Sequence, residues 1–236
     1  MSETNEIKVS EPTGNQEKEP NSFNLVFTLG IAGLLAGFVL VGTYIYTAPL
    51  IAANKAEALK SAIFKVLAGC DSFEELSLVN GKLNLVTDRG KKQGRGEEPQ
   101  KIFMGYNKNK EFIGFAIPGS EPGFQDIIGV IYGYDPSQKI IIGFEVLESK
   151  ETPGLGDKIF KDAAFQENFK ALKVLPDIQM VKNGQKANDN EVEAITGATI
   201  SSKAIVRLLN NSMEKWKDIM DEYIKTNNIE VAISNE

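Results

Sequence analysis

The sequence predicts an α+β protein in which a single N-terminal transmembrane helix precedes a domain of antiparallel β-hairpins packed with helices. Three observations predict it. Residues 23–48 carry no charge, two strand–turn–strand patterns occupy 101–147, and a helical stripe of apolar residues runs from Ile200 to Tyr223.

Residues 1–22 are rich in Ser, Thr, Asn, Glu and Pro, with five Glu against Lys8 and Lys18. So few apolar side chains cannot offset the entropy of ordering, and the segment reads as a disordered polar tail. The 26 uncharged residues that follow, 23–48, exceed a hydrocarbon core of about 30 Å at a rise of about 1.5 Å per residue. They read as one transmembrane helix, longer than the apolar core of a cleaved signal peptide. Tyr44 and Tyr46 lie at one end, where amphipathic rings favour the interface, and Pro49 is expected to stop or kink the helix. Gly33 and Gly37 form a G-x-x-x-G spacing that permits close helix packing.

Residues 49–75 read as an amphipathic stalk helix, because Ala56, Leu59, Ile63, Val66 and Leu67 recur at helical spacing between lysines. Leu67-Ala68-Gly69-Cys70 has the form of a lipoprotein box but lies 22 residues beyond the apolar run, so a half-buried thiol is the better reading. The cationic stretch 89–96, RGKKQGRG, reads as a solvated loop inside the outer domain, 76–236.

Beyond it the apolar period changes from helix to strand. Strands are expected at Lys101–Tyr106 and 112–117, joined by Asn107-Lys108-Asn109-Lys110, and at 126–134 and 140–147, joined by Asp135-Pro136-Ser137-Gln138-Lys139. The run IIGVIYG is almost continuously apolar, which argues for a strand covered on both faces. Ile205, Leu208, Leu209, Met213, Trp216, Ile219, Met220 and Tyr223 then share one face of a long closing helix.

Composition narrows the chemistry. A formal charge of −6 provides no basic surface for nucleic acid. With no His and one Cys, His-ligated haem, a four-Cys iron–sulfur cluster, a Cys/His zinc site, a Ser-His-Asp triad and an internal disulfide are all excluded. Redox work would need an organic cofactor or a metal on oxygen ligands alone.

Two stretches carry chemistry. Residues 193–202, EAITGATISS, form a hydroxyl-rich turn entering the closing helix, where unpaired amides and the positive end of the helix dipole meet. A phosphate suits that place, with Gly197 letting the backbone approach and Thr196, Thr199, Ser201 and Ser202 offering hydroxyls. Ser and Thr are equally the preferred caps of any helix, so capping remains open. Residues 149–159, SKETPGLGDKI, form a stiff loop in which Pro153 fixes one φ while Gly154 and Gly156 permit tight turns beside a flat ligand. The plain alternative is a connection in which Asp157 caps a helix at 158–170.

TGATISS at 196–202, ETPGLGDKI at 151–159 and GFQDIIGVIYGYD at 123–135 together resemble the FMN-binding G subunit of the Rnf electron-transport complex, the RnfG family. The resemblance covers residues 23–226, including the single anchor and stalk. It implies an FMN-binding domain whose flavin is joined by a phosphoester to the last hydroxyl residue of the [ST]-G-A-[ST] motif, here Thr199. Thr196, Gly197, Ala198, Ser201 and Ser202 would surround the attachment, and Glu151, Thr152, Gly154, Leu155, Gly156 and Lys158 the flavin, with Glu151, Thr152, Leu155 and Lys158 walling the ring. The usual Asp three residues before the first hydroxyl of the motif is Glu193 here. The C subunit of the sodium-pumping NADH:quinone reductase is the related alternative, and the ETPGLGDKI run favours the Rnf member.

The resemblance further implies a membrane-anchored electron relay within an ion-translocating ferredoxin:NAD oxidoreductase, whose partners are the complex's other membrane subunits, a flavin transferase and the lipid bilayer. It places the chain in the bacterial inner membrane, crossing once, with the flavin domain on the outer, periplasmic face. Lys residues flank the span on both sides, so charge gives no orientation of its own. A non-redox adaptor whose TGAT turn merely caps a helix and a non-covalent FMN reductase are the competing readings.

Overall fold

The computed structural model describes residues 22–86 and 100–230. The expected tail, apart from Ser22, and the cationic loop 89–96 lie outside the described residues. The chain divides into two compact units, Met1–Ala53 and Asn54–Glu236.

Helix α1, Ser22–Val66, is long and apolar enough to cross a membrane, and its most apolar stretch buries nothing against protein. Its three threonines are self-satisfied: Thr28, Thr43 and Thr47 donate to the carbonyls four residues earlier at 2.7, 2.7 and 2.9 Å. Such back-bonding suits a helix whose surroundings offer no water. The helix does not stop at Pro49. Proline forfeits one backbone bond, and the ladder on either side carries the helix past it. It does stop short of the expected residue 75: a turn at Gly69, φ +84, reverses the chain, and Ser72 already opens a strand.

The second unit is built on a seven-stranded antiparallel sheet in the order β2-β1-β3-β4-β5-β6-β7. The strands are β1 Ser72–Val79, β2 Lys82–Leu85, β3 Lys101–Tyr106, β4 Phe112–Pro122, β5 Ile127–Asp135, β6 Ile140–Glu148 and β7 Leu172–Lys173. The β1–β2 hairpin was not anticipated, although Asn80-Gly81 is a strong two-residue turn signal; their φ values of +52 and +78 fit the mirror-image turn that matches strand twist. In the expected hairpins, Asn107 Oδ1 accepts from the Asn109 and Glu111 amides at 2.9 and 3.0 Å, and Asp135 Oδ1 from the Ser137 amide at 2.8 Å.

After the sheet come α2 Lys158–Lys161, α3 Ala163–Glu167, a parallel pair β8 Gln179–Val181 and β9 Glu191–Glu193, and α4 Thr199–Thr226. A single helix over 158–170 does not form. Asp162 is extended, φ −84 and ψ 109, and accepts from the Ala164 and Phe165 amides, so it breaks one helix and caps the next.

Both faces of the sheet are covered. On one, α4 buries Ile205, Leu208, Leu209, Met213, Trp216 and Met220 against Phe115, Ile117, Val130 and Tyr132. On the other, the end of α1 packs Ala62, Ile63 and Val66, with Leu67, against Phe103, Ala116 and Ile131. β5 is therefore buried on both sides, as its apolar run implies. Gly133 and Gly143 face each other across β5 and β6, and a Cβ built on either would lie 2.2 or 2.5 Å from the Val66 carbonyl oxygen. This glycine notch lets the helix end rest directly on the sheet, and Lys65 secures it through Glu145 at 2.5 Å.

The notch generates a prediction. Gly143→Val should destabilise the second unit by about 1–3 kcal/mol or more, since a rigid backbone carbonyl cannot move aside. Urea unfolding followed by circular dichroism measures it, and an unchanged midpoint would mean that the helix end does not need the notch.

Candidate functional site

Three segments meet around a cavity of about 330 Å³: the turn after β4 through Phe124, the loop after β6 through Glu151, Thr152, Leu155 and Gly156, and the start of α4 through residues 197–201. Each is shaped by its own sequence. In the loop, Gly154 takes φ +80, and its amide donates to Asp157 Oδ1 at 2.8 Å. Asp157 Oδ2 also accepts from Lys161 at 2.6 Å. Asp157 therefore closes the loop and makes no side-chain cap to α2. The Lys161 ammonium holds its carboxyl below the usual range against the opposing effect of burial. Thr152 Oγ1 lies 3.1 Å from Gln125 Oε1, donating across to the neighbouring turn.

At the entrance to α4, Gly197 at φ +86 makes the turn closed by the Ala198 amide on the Ile195 carbonyl at 3.0 Å. The N-cap position falls on Ala198, so no hydroxyl caps the helix. Ser202 is turned inward: its Oγ accepts from the Ile195 amide at 3.1 Å and donates to the Ala198 carbonyl at 3.0 Å. Among the described residues nothing accepts from the amides of Thr199, Ile200 and Ser201, and the exposed Thr199 hydroxyl has no partner. The capping alternative thus loses its basis, and three amides with the helix dipole behind them remain available to an anion.

Glu151 connects all three segments. It is buried, its Oε1 accepts from the Phe124 and Gln125 amides at 2.9 and 3.0 Å, and its Oε2 accepts from the Ser201 hydroxyl at 2.5 Å. Burial pushes its carboxyl up, but the Ser201 hydroxyl and the backbone amides of Gln125 and Phe124 outweigh that and leave it below the ordinary value.

Of the twelve candidates from the sequence, eight line the cavity: Glu151, Thr152, Leu155, Gly156, Gly197, Ala198, Thr199 and Ser201. Thr196 is exposed on the turn, Ser202 is consumed in the helix entrance, Gly154 shapes the loop from outside, and Lys158 does not line the space. Two lining residues were missed, Phe124 and Ile200, exposed at 67% and 55%. The available signal was apolar side chains inside the motifs themselves, since GFQD and TGATI each carry one where no core needs it. With half-exposed Leu155 they give the cavity an apolar rim around a polar floor. That donor set fits FMN: apolar walls for a flat ring, and free amides with a hydroxyl for its phosphate.

The low carboxyl value of Glu151 has a consequence for stability. A carboxylate depressed on folding stabilises the fold fully above its unfolded value, near 4.5, and this is lost as pH falls through the lower folded value. Glu151→Gln should therefore flatten the acid limb of a stability–pH profile below about pH 4.5 and leave the slope at neutral pH unchanged. Denaturant melts of both proteins across that range measure it; parallel profiles would show that Glu151 is not held this way.

Comparison with known proteins agrees with this geometry. Residues 123–214 match the FMN-binding domain family. The G subunit of the proton-translocating ferredoxin:NAD(+) oxidoreductase complex of Clostridium ljungdahlii is 27% identical over 201 residues, covering 85% of this chain and 95% of that protein. The Na(+)-translocating counterpart of Acetobacterium woodii is 26% identical, covering 86% and 98%. Among solved structures, NqrC of Shewanella oneidensis aligns with a TM-score of 0.59 at 17% identity, covering 72% of this chain and 99% of that one. The C subunit of the Na(+)-translocating NADH-quinone reductase of Parabacteroides distasonis aligns at 0.53 and 19%, covering 71% and 94%. At those identities the likeness is one of fold. The chain is thus similar over most of its length to oxidoreductase-complex G subunits, and the part that matches the FMN-binding domain family, residues 123–214, contains the cavity's β4–β5 turn, loop and helix entrance.

Proposed function

We propose that this chain is a membrane-anchored flavoprotein subunit that relays electrons through FMN carried covalently on Thr199, within an ion-translocating ferredoxin:NAD oxidoreductase of the Rnf type. The observation that carries the reading is Thr199 itself, an exposed, unbonded hydroxyl at a helix entrance with free amides, opening on a cavity inside the FMN-binding domain.

When bound, FMN supplies reversible one- and two-electron chemistry. The chain's own residues orient and shelter it. The amides of Thr199, Ile200 and Ser201 offset phosphate charge, Phe124, Leu155 and Ile200 exclude water from the rim, and Thr152 sets the polarity of the loop side. Attachment would join Thr199 Oγ to the flavin-side phosphorus of FAD, breaking the pyrophosphate bond with AMP as the leaving group. The chain has no His to act as base, and the resemblance to the G subunits implies a separate, Mg-dependent flavin transferase that would take the proton. The protein is one relay of the complex and contributes neither its NAD site nor its ion path. Helix α1 anchors it in the bacterial inner membrane, with the flavin domain on the periplasmic face. The second reading, the C subunit of a sodium-pumping NADH:quinone reductase, is favoured by the fold likeness alone; the G subunits align over most of the sequence.

Thr199→Val should abolish flavin fluorescence that survives denaturing electrophoresis, with stability within about 0.5 kcal/mol because an exposed hydroxyl without a partner is removed. Intact mass after expression with the transferase gives the same answer. Denaturation-resistant flavin in that variant would move the attachment elsewhere, and flavin lost from the wild type on denaturation would favour a non-covalent reductase.

Orientation is testable with thiols. Cys70 is a poor reporter, because it is half-buried, its Sγ donates to the Ser72 carbonyl at 3.2 Å, and burial pushes its thiol above the ordinary value. Lys108→Cys, on the exposed hairpin turn, should react with an impermeant reagent in intact spheroplasts. Reaction only after permeabilisation would put the domain on the cytoplasmic side.

A further inference from the structure

We infer that Glu151 is the positioning residue of the flavin site, a carboxylate that clamps the first turn of α4 to the loop after β6 and the turn after β4, so that Thr199 and the cavity walls stay in register. This rests on the proposed flavin attachment and revises the sequence expectation that Glu151 walls the ring directly.

The geometry separates the two roles. A carboxylate has about four acceptor positions, and three are already used, by the Phe124 and Gln125 amides and the Ser201 hydroxyl. The partners belong to two walls, the turn after β4 and the first turn of α4: Phe124 and Ser201 line the cavity, and Gln125, beside Phe124, accepts from Thr152. Ser201 lies two residues beyond Thr199 in the same helical turn, so fixing its hydroxyl fixes the placement of the acceptor. Ser201 is 2% exposed and has no other side-chain partner. Removing Glu151 would leave the buried Ser201 hydroxyl without an acceptor and release the part-buried amides of Phe124 and Gln125 to water.

The surrounding backbone makes room for this carboxylate. A Cβ on Gly123 would lie 2.5 Å from Oε1, and one on Gly156 2.6 Å from Oε2. Gly156 has no positive φ, so its glycine is explained by space and not by backbone conformation. Both glycines, one in the turn after β4 and one in the loop after β6, close on the two carboxylate oxygens and leave room for a side chain of this length and shape.

The experiment compares wild type, Glu151→Ala, Glu151→Gln and Ser201→Ala as full chains. In unloaded protein, Glu151→Ala should raise amide exchange at Phe124 and Gln125 by about tenfold or more, the scale of a lost charge-assisted bond. After expression with the transferase it should lower covalent FMN loading by a similar factor and shift the flavin absorption band and midpoint potential. Glu151→Gln should restore loading to within about twofold, because its carbonyl keeps both amides and its NH₂ donates to Ser201 Oγ. Ser201→Ala should fall between, and the double variant should be no worse than Glu151→Ala. Should Glu151→Ala fail to fold, Ser201→Ala carries the comparison, since it leaves the two amide bonds intact. Unchanged loading, spectrum and exchange would overturn the inference. So would a Gln variant as impaired as the Ala variant, which would make the charge, and not the clamp, the active feature. If wild type itself takes up no flavin, the functional reading fails, and the exchange comparison alone then decides for or against the clamp.

Discussion

The second unit depends on a sheet with two apolar faces, both of which must be kept from water. β5 is the sharpest case: Ile128, Val130 and Tyr132 bury on one side and Ile131 on the other. Each such side chain contributes about 1.5–3 kcal/mol when removed from water, so leaving either face open would cost more than a domain of this size can spare. α4 covers one face and the end of α1 the other. The second cover is unusual in that its helix also contains the membrane-length apolar stretch, so a single element serves both as candidate anchor and as structural layer. Glycine at 133 and 143 is what permits this, since a side chain at either position would collide with the Val66 carbonyl.

The site follows from the same layering. Packing α4 along the sheet delivers its N-terminus to the end where the β4–β5 turn and the loop after β6 emerge. There its amides are left without partners, while Glu151 ties the three segments together. A buried carboxylate is tolerated because its hydrogen bonds replace those lost to water, and those donors lie in segments far apart in sequence. Apolar Phe124, Leu155 and Ile200 remain exposed at the rim, a surplus that no core requires and that a flat ligand can cover.

Legibility differed between elements for physical reasons. The two hairpins from Lys101 to Glu148 were readable because alternating burial and turn chemistry agreed, and α4 because its apolar stripe persists through about five turns. The start of β1 was read as helix because the stalk was carried past Gly69 to residue 75, into a strand whose glutamates also suit a helix, and the short β2 drew no assignment. The break at Asp162 was invisible for a related reason: one aspartate can cap a helix or lie within one, and only its extended backbone decides. Eight of twelve candidate site residues share the cavity. Ser202 was indistinguishable by type from Ser201, one turning into the helix entrance and the other towards Glu151.

By itself the sequence determined the α+β class, the membrane-length apolar helix, the hairpin strands and the two motifs that carry the chemistry, because periodicity, turn residues and the absence of His and of a second Cys are local properties. Only the tertiary structure decided that the helix end is a layer of the domain, that Ala198 occupies the cap position and leaves three amides free, and that Glu151 serves as clamp. The helix-end layer and the clamp depend on contacts between segments some 26 to 80 residues apart. No local pattern encodes which hydroxyl a distant carboxylate will meet, since that is fixed only when both faces of the sheet are covered at once.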